Sequence, residues 1–403
     1  MDQLSDRVAA LDSSERQRLL ERVRARRAER PRGAEGRGRL RFSLFFFGTG
    51  EGREIEDHYR LVFDCARFAD ENGFEAVWVP ERHFDVFGAP YPSPAVLVAA
   101  LAAATRRLQV RAGSVVVPLH DPVRVAEDWA VVDGISGGRA GLALASGWHA
   151  NDFVLAPDRF EGRKQALVDD LATIRTLWRG GDITRTDGAG NEVSLRTYPL
   201  PRRGELPMWI TSSSSEQTWR TGADLGLNVL TGLVEQSVED VRDRVEMYRE
   251  SLAAAGREPQ AHTVTAMVHT FIGSDLESVR EEVRAPLTAY LRAHIGLYEK
   301  LVRSADLNLD ADKVTDADKD ALADIAFTRY FATHGLFGAP EDALEMVHRL
   351  VDAGVDEVGC LVDFGLPPSR VLEHLKHLAA LKDMADREVP SRTAGPDSGK
   401  GAR

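Results

Sequence analysis

The 403-residue sequence predicts an α/β chain closed into an eight-stranded parallel barrel, the (β/α)8 or TIM-barrel class, with insertions on its rim. Three observations predict it. Eight short runs rich in Val, Leu, Ile and Phe recur between residues 41 and 362, and segments with helical spacing separate most of them. The runs are apolar almost throughout instead of alternating with polar residues, as strands covered on both faces require. Eight such units favour closure into a barrel over an open sheet.

The first strand reads Arg41-Phe42-Ser43-Leu44-Phe45-Phe46-Phe47, and Asp57 to Asn72 follows with Leu61, Val62, Cys65 and Phe68 on one helical face until Gly73 stops it. Glu75 to Pro80 is the second strand. A loop containing Pro90, Pro92 and Pro94 then leads into the Ala-rich helix Ala95 to Thr105. Further strands are expected at Leu108 to Val117, Ala140 to Ala145, Pro207 to Thr211, Leu227 to Leu230, Thr263 to Ile272 and Val355 to Val362. Two intervals are too long for plain crossovers. Gly180 to Gly204, with Asp187-Gly188 between two strand-like runs, predicts a β-hairpin, and Leu276 to Gly338 predicts extra helices such as Ala285 to Val302. Both are expected as rim insertions, not domains.

Composition narrows the partners. Lys and Arg total 51 against 63 Asp and Glu, a net charge of −12, which disfavours nucleic acid and anionic membrane and favours a small-molecule or protein partner. The two cysteines, Cys65 and Cys360, are too few for a disulfide framework or a zinc site and suit a reducing cytoplasm. No apolar stretch approaches the ~20 residues that span a bilayer. The charge is uneven, because residues 15–39 hold ten Arg and four Glu. Residues 1–38 therefore read as a basic helical linker or docking segment, with Leu4, Val8 and Leu11, then a helix start at Asp12-Ser13-Ser14-Glu15, and a close at Gly33, Gly36 and Gly38. Residues 39–385 form the barrel domain, and residues 386–403, mixing Pro, Gly, Ser and charge, are expected as a disordered tail.

In a barrel of this class chemistry sits at the carboxyl ends of the strands. The second strand runs into Pro80-Glu81-Arg82-His83-Phe84, and the third through Gly113-Ser114 into Pro118-Leu119-His120-Asp121-Pro122. The fourth runs into Ser146-Gly147-Trp148-His149-Ala150-Asn151-Asp152-Phe153, and the fifth into Thr211-Ser212-Ser213-Ser214-Ser215-Glu216. In this order and spacing, over roughly Arg41 to Leu381, the four segments resemble the bacterial-luciferase-like flavin-dependent monooxygenases. Glu81-Arg82-His83-Phe84 is similar to the family's Glu-His-His-Phe, Pro118 to Pro122 and Glu127-Asp128 to its Pro-x-x-His-Pro and Glu-Asp, and Gly147 to Phe153 to its Gly-x-x-x-x-Asp-Phe. Ser146-Gly147-Trp148-His149 and Phe45-Phe46-Phe47-Gly48 further resemble a branch found within or beside nonribosomal peptide and polyketide assembly lines. The basic segment Leu11 to Arg27 looks like the linkers of such enzymes.

The resemblance implies a luciferase-like barrel that takes reduced FMN as co-substrate from a separate flavin reductase and uses O2, with no metal. It would place one oxygen atom on a natural-product intermediate, free or carrier-protein-bound, and work as a homodimer. Ser212, Ser213, Ser214 and Ser215 offer hydroxyls and a positive helix end to the FMN phosphate; the plainer reading is an ordinary Ser cap. Gly113 and Ser114 lie where the family often carries a non-prolyl cis peptide beneath the flavin ring, although a plain strand end would also use small residues. Ser146, Gly147, Trp148 and His149 complete the expected cofactor set. Ser146 stands where relatives often have an Arg, so a cation is missing that Arg124 or Arg220 could replace, although weak flavin binding also suits an enzyme that takes reduced flavin as a diffusing substrate. His83 is assigned control of a proton, Arg82 replaces the family's first histidine, and Asp152 orients a loop or serves as a buried partner of a helix end. The histidines stand on different loops without metal-ligand spacing. Phe45, Phe47, Trp78, Phe84 and Trp148 are expected to line the mouth and exclude water. Two other readings stay open: a deazaflavin (F420)-dependent oxidoreductase of the same fold that exchanges hydride, and a non-catalytic flavin-binding scaffold.

Overall fold

The computed structural model describes residues 39–48, 54–85, 88, 90–234, 236–293 and 316–388, so the leading basic segment and most of the expected tail lie outside the described residues. In chain order the strands are β1 (Arg41–Phe45), β2 (Ala76–Val79), β3 (Gln109–Val116), β4 (Ala140–Ala145), β5 (Ile183–Thr186), β6 (Glu192–Leu195), β7 (Met208–Thr211), β8 (Asn228–Gly232), β9 (Val264–Ile272), β10 (Gly335–Gly338) and β11 (Glu357–Leu361). Eight of them close a parallel ring in the order β1, β2, β3, β4, β7, β8, β9, β11 and back to β1. Phe45 pairs with both Trp78 and Leu361, and Val229 with Val264. This is the (β/α)8 barrel, and β5–β6 is the expected antiparallel hairpin on its rim.

The helices are α1 (Ile55–Glu71), α2 (Pro94–Ala104), α3 (Pro122–Ser136), α4 (Arg163–Trp178), α5 (Glu216–Leu225), α6 (Val238–Ala254), α7 (Leu276–Ala293), α8 (Asp316–Thr333), α9 (Pro340–Asp352) and α10 (Pro368–Glu388). Their limits follow local chemistry. The Asp121 carboxylate accepts the Val123 N–H at 2.8 Å to start α3, and Gly137, at φ 70°, ends it in the left-handed region. Ser237 and Asp240 close a reciprocal capping box at α6.

The barrel interior has a polar floor. The fully buried Glu357 accepts from Ser43 Oγ at 2.5 Å, Trp78 Nε1 at 3.1 Å and Arg111 Nη1 at 2.9 Å, and the Arg111 guanidinium lies 4.9 and 4.6 Å from the Trp78 and Trp209 rings. Burial pushes the Glu357 carboxyl up, but Arg111, Arg41 and the hydrogen bonds together hold it below its ordinary value. Cys65 and Cys360 are buried cysteines not joined by a disulfide, and burial pushes Cys360 up to about 12.

Three expectations are corrected. Gly335-Leu336-Phe337-Gly338 is a strand, bonded to His269–Ile272 of β9, beyond Met267 where the β8 pairing stops. The helix expected from Ala285 begins at Leu276, with Pro286 inside it, and is described as far as Ala293. Residues 386–388, expected as the start of the tail, are the end of α10, where Asp386 forms ion pairs with Arg39 and Lys382, and residues 389–403 lie outside the described residues.

Candidate active site

At the end of β2 the chain turns at Pro80 and buries the Glu81 side chain completely. Glu81 Oε1 accepts from His83 Nε2 at 2.8 Å and His120 Nε2 at 2.6 Å, while Oε2 accepts the Val116 N–H at 2.7 Å. Burial pushes the Glu81 carboxyl up, yet the hydrogen bonds from His120 and His83, the charge of His120 and the Val116 amide outweigh it and lower its pKa. Burial likewise pulls His120 down, but Glu81, with Asp128 adding to it, raises the imidazole above its ordinary value. Sequence reasoning passed over Glu81 and His120 as partners of His83. The signal available was a carboxylate two residues before the assigned histidine.

Arg82 faces another way. Its Nη1 donates to both Asp152 oxygens, at 2.7 and 2.6 Å, its Nη2 to Asp85 at 2.9 Å, and its guanidinium lies 5.4 Å from the Trp148 ring. Arg82 and Asp152 are both buried, so Asp152 is the counter-ion of Arg82, and His149 Nδ1 stands 4.0 Å from its Oδ1. The stem of Arg82 leaves no room opposite it: a Cβ at Gly88 would lie 2.8 Å from Arg82 Cβ.

The expected aromatic lining divides. Phe45 and Trp78 are buried and stacked at 6.2 Å beneath the mouth, and Phe47 is partly buried. Phe84 and Trp148 are 64% and 59% exposed, which corrects their assignment as closed walls. They stand on the rim. Among the described residues Phe84 is also the non-glycine one with positive φ, 53°. Gly113–Ser114 is a cis peptide, and a Cβ at Gly113 would meet the Phe45 ring at 2.8 Å. Gly147, at φ 80°, lets the loop after β4 fold over Phe153, whose ring a Cβ would meet at 2.7 Å, and Ser146 beside it is half-buried.

At the end of β7, Ser215 caps α5, its Oγ accepting the Thr218 N–H at 3.4 Å and the Thr218 hydroxyl at 3.0 Å. The buried Ser212 N–H donates to Leu230 O at 2.9 Å, and Ser213 and Ser214 are exposed. Behind them Arg244 of α6 donates through Nη2 to Ser214 O at 3.3 Å. Arg244 Nε and Thr211 Oγ1 are buried without a hydrogen-bond partner among the described residues. Arg124 is corrected as a replacement cation, because it is exposed and paired with Glu127 and Asp128 of its own helix. Arg220 lies exposed on α5.

A third cluster, missed from sequence, ties β1 to β11. Asp363 accepts the Phe47 and Gly48 N–H groups at 2.8 and 2.7 Å and the Tyr91 hydroxyl at 2.7 Å, and His58 Nε2 lies 2.7 Å from that hydroxyl. Among the described residues no group of His, Cys, Asp and Glu could hold a metal ion, and no helix is long and apolar enough to cross a membrane.

A sequence model of the luciferase-like monooxygenases matches residues 39–357. The chain belongs to the luciferase-like monooxygenase family. It is accordingly a flavin-dependent monooxygenase. It is 21% identical over 346 residues to the oxygenase component of the flavin-dependent trigonelline monooxygenase of Acinetobacter baylyi, covering 84% of this chain and 93% of that one. Among solved structures, the FMN complex of the oxygenating constituent of 3,6-diketocamphane monooxygenase from Pseudomonas putida superposes with a TM-score of 0.69 at 15% identity, over 88% of this luciferase-like chain and all of that one. An F420-dependent secondary alcohol dehydrogenase has the same fold, with a TM-score of 0.64 at 16% identity over 85% and 99% of the two chains.

Proposed function

We propose that this monooxygenase takes reduced FMN as a diffusing co-substrate from a separate flavin reductase and uses O2 to insert one oxygen atom into a natural-product intermediate, free or carried on a carrier protein. The observation that carries the FMN part is the pair of unsatisfied buried polar atoms, Thr211 Oγ1 and Arg244 Nε, beside the Ser212–Ser215 turn and the start of α5. A buried donor without a partner costs about 1–3 kcal/mol, and a phosphate dianion would satisfy both atoms. Arg244 would then supply the cation that the fourth strand lacks at Ser146.

FMN, when bound, supplies the redox chemistry with O2. The chain's own residues bind, orient and exclude. Ser212 to Ser215, Thr211 and Arg244 would hold the phosphate. The Gly113–Ser114 backbone, over Phe45 and Trp78, would form the bed for the ring, with Ser146, Gly147, Trp148 and His149 at its side. His83 would hold the proton at the reacting face, and the Arg82–Asp152 pair would fix the loops after β2 and β4 against each other. The Ser-Gly-Trp-His and Phe-Phe-Phe-Gly segments support the natural-product branch, and the basic residues 1–38 suit docking to an acidic carrier or neighbouring module in the cytoplasm.

Exposed Val96 of α2 and Val131 and Ile135 of α3, on two helices that pack together, support a homodimer through that face. The test of the function is mass spectrometry of candidate substrates, free and carrier-tethered, after incubation with enzyme, FMN, a reductase and labelled O2. One labelled oxygen gained is the expected result. Hydride exchange with deazaflavin and no O2 uptake would replace this reading with the dehydrogenase one.

A further inference from the structure

The geometry points to Glu81 as the positioning residue of the site: its carboxylate fixes the ring orientation and tautomer of His83 and ties His83 and His120 into one proton-holding unit. The inference rests on the proposed role of His83. The Glu81 side chain has no contact with solvent, and both of its oxygens are used, Oε2 by the Val116 amide and Oε1 by the two Nε2 atoms at 2.8 and 2.6 Å. A carboxylate only accepts, so each histidine must carry a proton on Nε2. In its neutral form His83 is therefore the Nε2–H tautomer, and Nδ1 is the ring atom left to accept from a group in the mouth.

His120 shares the same oxygen. A fully buried carboxylate needs a compensating charge, and His120, raised above its ordinary value by Glu81, is the nearer of the two rings. With His120 as the nearer partner of Oε1, His83 keeps its Nδ1 for a group in the mouth. The other charged groups around the unit are accounted for. Asp128 of α3 acts on His120 from outside, Arg159 donates to the His120 carbonyl at 3.0 Å and is itself paired with Asp170, and Asp121 caps α3 and pairs with Arg185. Arg82 is held by Asp152 and Asp85. None of these substitutes for Glu81 at the two Nε2 atoms.

The inference separates two residues that adjoin in sequence. Glu81 and His83 serve the proton, whereas Arg82, between them, serves the loop after β4. It also explains how proton control is retained although Arg82 occupies the first of the family's two histidine positions: the second ring works with His120, 37 positions further along the chain, through a shared oxygen.

The experiment is histidine-selective 15N NMR on the flavin-free protein, read beside turnover. In wild type, His83 and His120 are expected as Nε2–H at alkaline pH, and His83 found as the Nδ1–H tautomer would overturn the inference without any variant. In Glu81→Gln one carboxylate oxygen becomes an NH2 donor, which opposes either the Val116 N–H or both Nε2–H groups, and the negative charge is lost, so the His120 titration midpoint should fall toward its ordinary value. Flavin affinity should stay within about twofold, while hydrogen peroxide per product rises about tenfold. Glu81→Asp, which keeps the charge, should restore part of the coupling. Wild-type tautomers and wild-type titration in Glu81→Gln would show that the carboxylate only anchors Val116. Because the spectra need neither flavin nor substrate, a chain without oxygenase activity but with the expected tautomers would remove the functional reading and leave the Glu81 assignment standing.

Discussion

Replacing Arg82 by Gln would leave the Asp152 carboxylate facing a neutral amide in a place where little water reaches. The two side chains are 4% and 8% exposed and joined by two hydrogen bonds, so the pair belongs with buried ion pairs, whose disruption costs about 3–5 kcal/mol when one partner is lost. Asp85, at 39% exposure, is screened by solvent and adds only about 0.5 kcal/mol. Arg82→Gln is therefore expected to lower stability by about 3 kcal/mol. Asp152→Asn should cost less, about 2 kcal/mol, because Arg82 keeps Asp85. In Arg82→Gln with Asp152→Asn neither charge remains to be compensated, and the double variant should cost clearly less than the two single ones summed, with a coupling of at least about 2 kcal/mol. Urea unfolding with an unchanged slope measures all corners of the cycle. A coupling below about 0.5 kcal/mol would refute the reasoning, and Arg82 would then be available as a cation for a ligand.

Arg244→Gln should weaken FMN binding about tenfold while leaving riboflavin, which lacks the phosphate, within twofold; fluorescence quenching titrations compare the two, and equal loss on both would remove Arg244 from the phosphate site. Stability should depend on pH through the Glu81–His120 pair. The raised His120 value makes its contribution full below its ordinary 6.5 and lost as pH rises through the higher folded value, while the lowered Glu81 value makes its contribution full above 4.5 and lost as pH falls through the lower folded value. The stability difference between wild type and His120→Asn should therefore be largest between about pH 4.5 and 6.5 and shrink at alkaline pH, measured as urea midpoints; a difference that grows with pH would contradict the pairing. Val131→Glu with Ile135→Glu should convert a dimer into monomers by light scattering with the barrel intact, and an unchanged mass would place the interface elsewhere.

The barrel was legible because its strands are short, continuous apolar runs punctuated by helices, and the hairpin because Asp187 builds its own turn, accepting from the Ala189 and Asn191 N–H groups at 2.9 Å. β10 was not legible, since four residues with a glycine at each end carry neither period nor propensity and pair only because β9 extends past β8. The strand-end rule found the segments that hold Arg82, His83, Asp152 and Ser212 to Ser215. It did not find their partners. Arg82 meets Asp152 across 70 positions, and His120 meets Glu81 across 39, so each pairing depends on the barrel's closure. Arg244 sits on the helix after the next strand, where its sequence context is an ordinary charged face. Phe84 and Trp148 were read as walls from residue type alone, and their exposure depends on loop paths that composition does not encode.

The central claim is that this chain binds reduced flavin and controls its encounter with O2 through His83 and the carboxylate behind it. It is tested most directly by mixing enzyme and reduced FMN, prepared anaerobically, with oxygenated buffer and following flavin reoxidation by stopped-flow absorbance in wild type and His83→Ala. The account predicts that reoxidation on the wild-type enzyme is at least about tenfold slower than in His83→Ala, with less hydrogen peroxide released and equal FMN affinity. Identical rates and peroxide yields in the two proteins, at equal flavin occupancy, would contradict it.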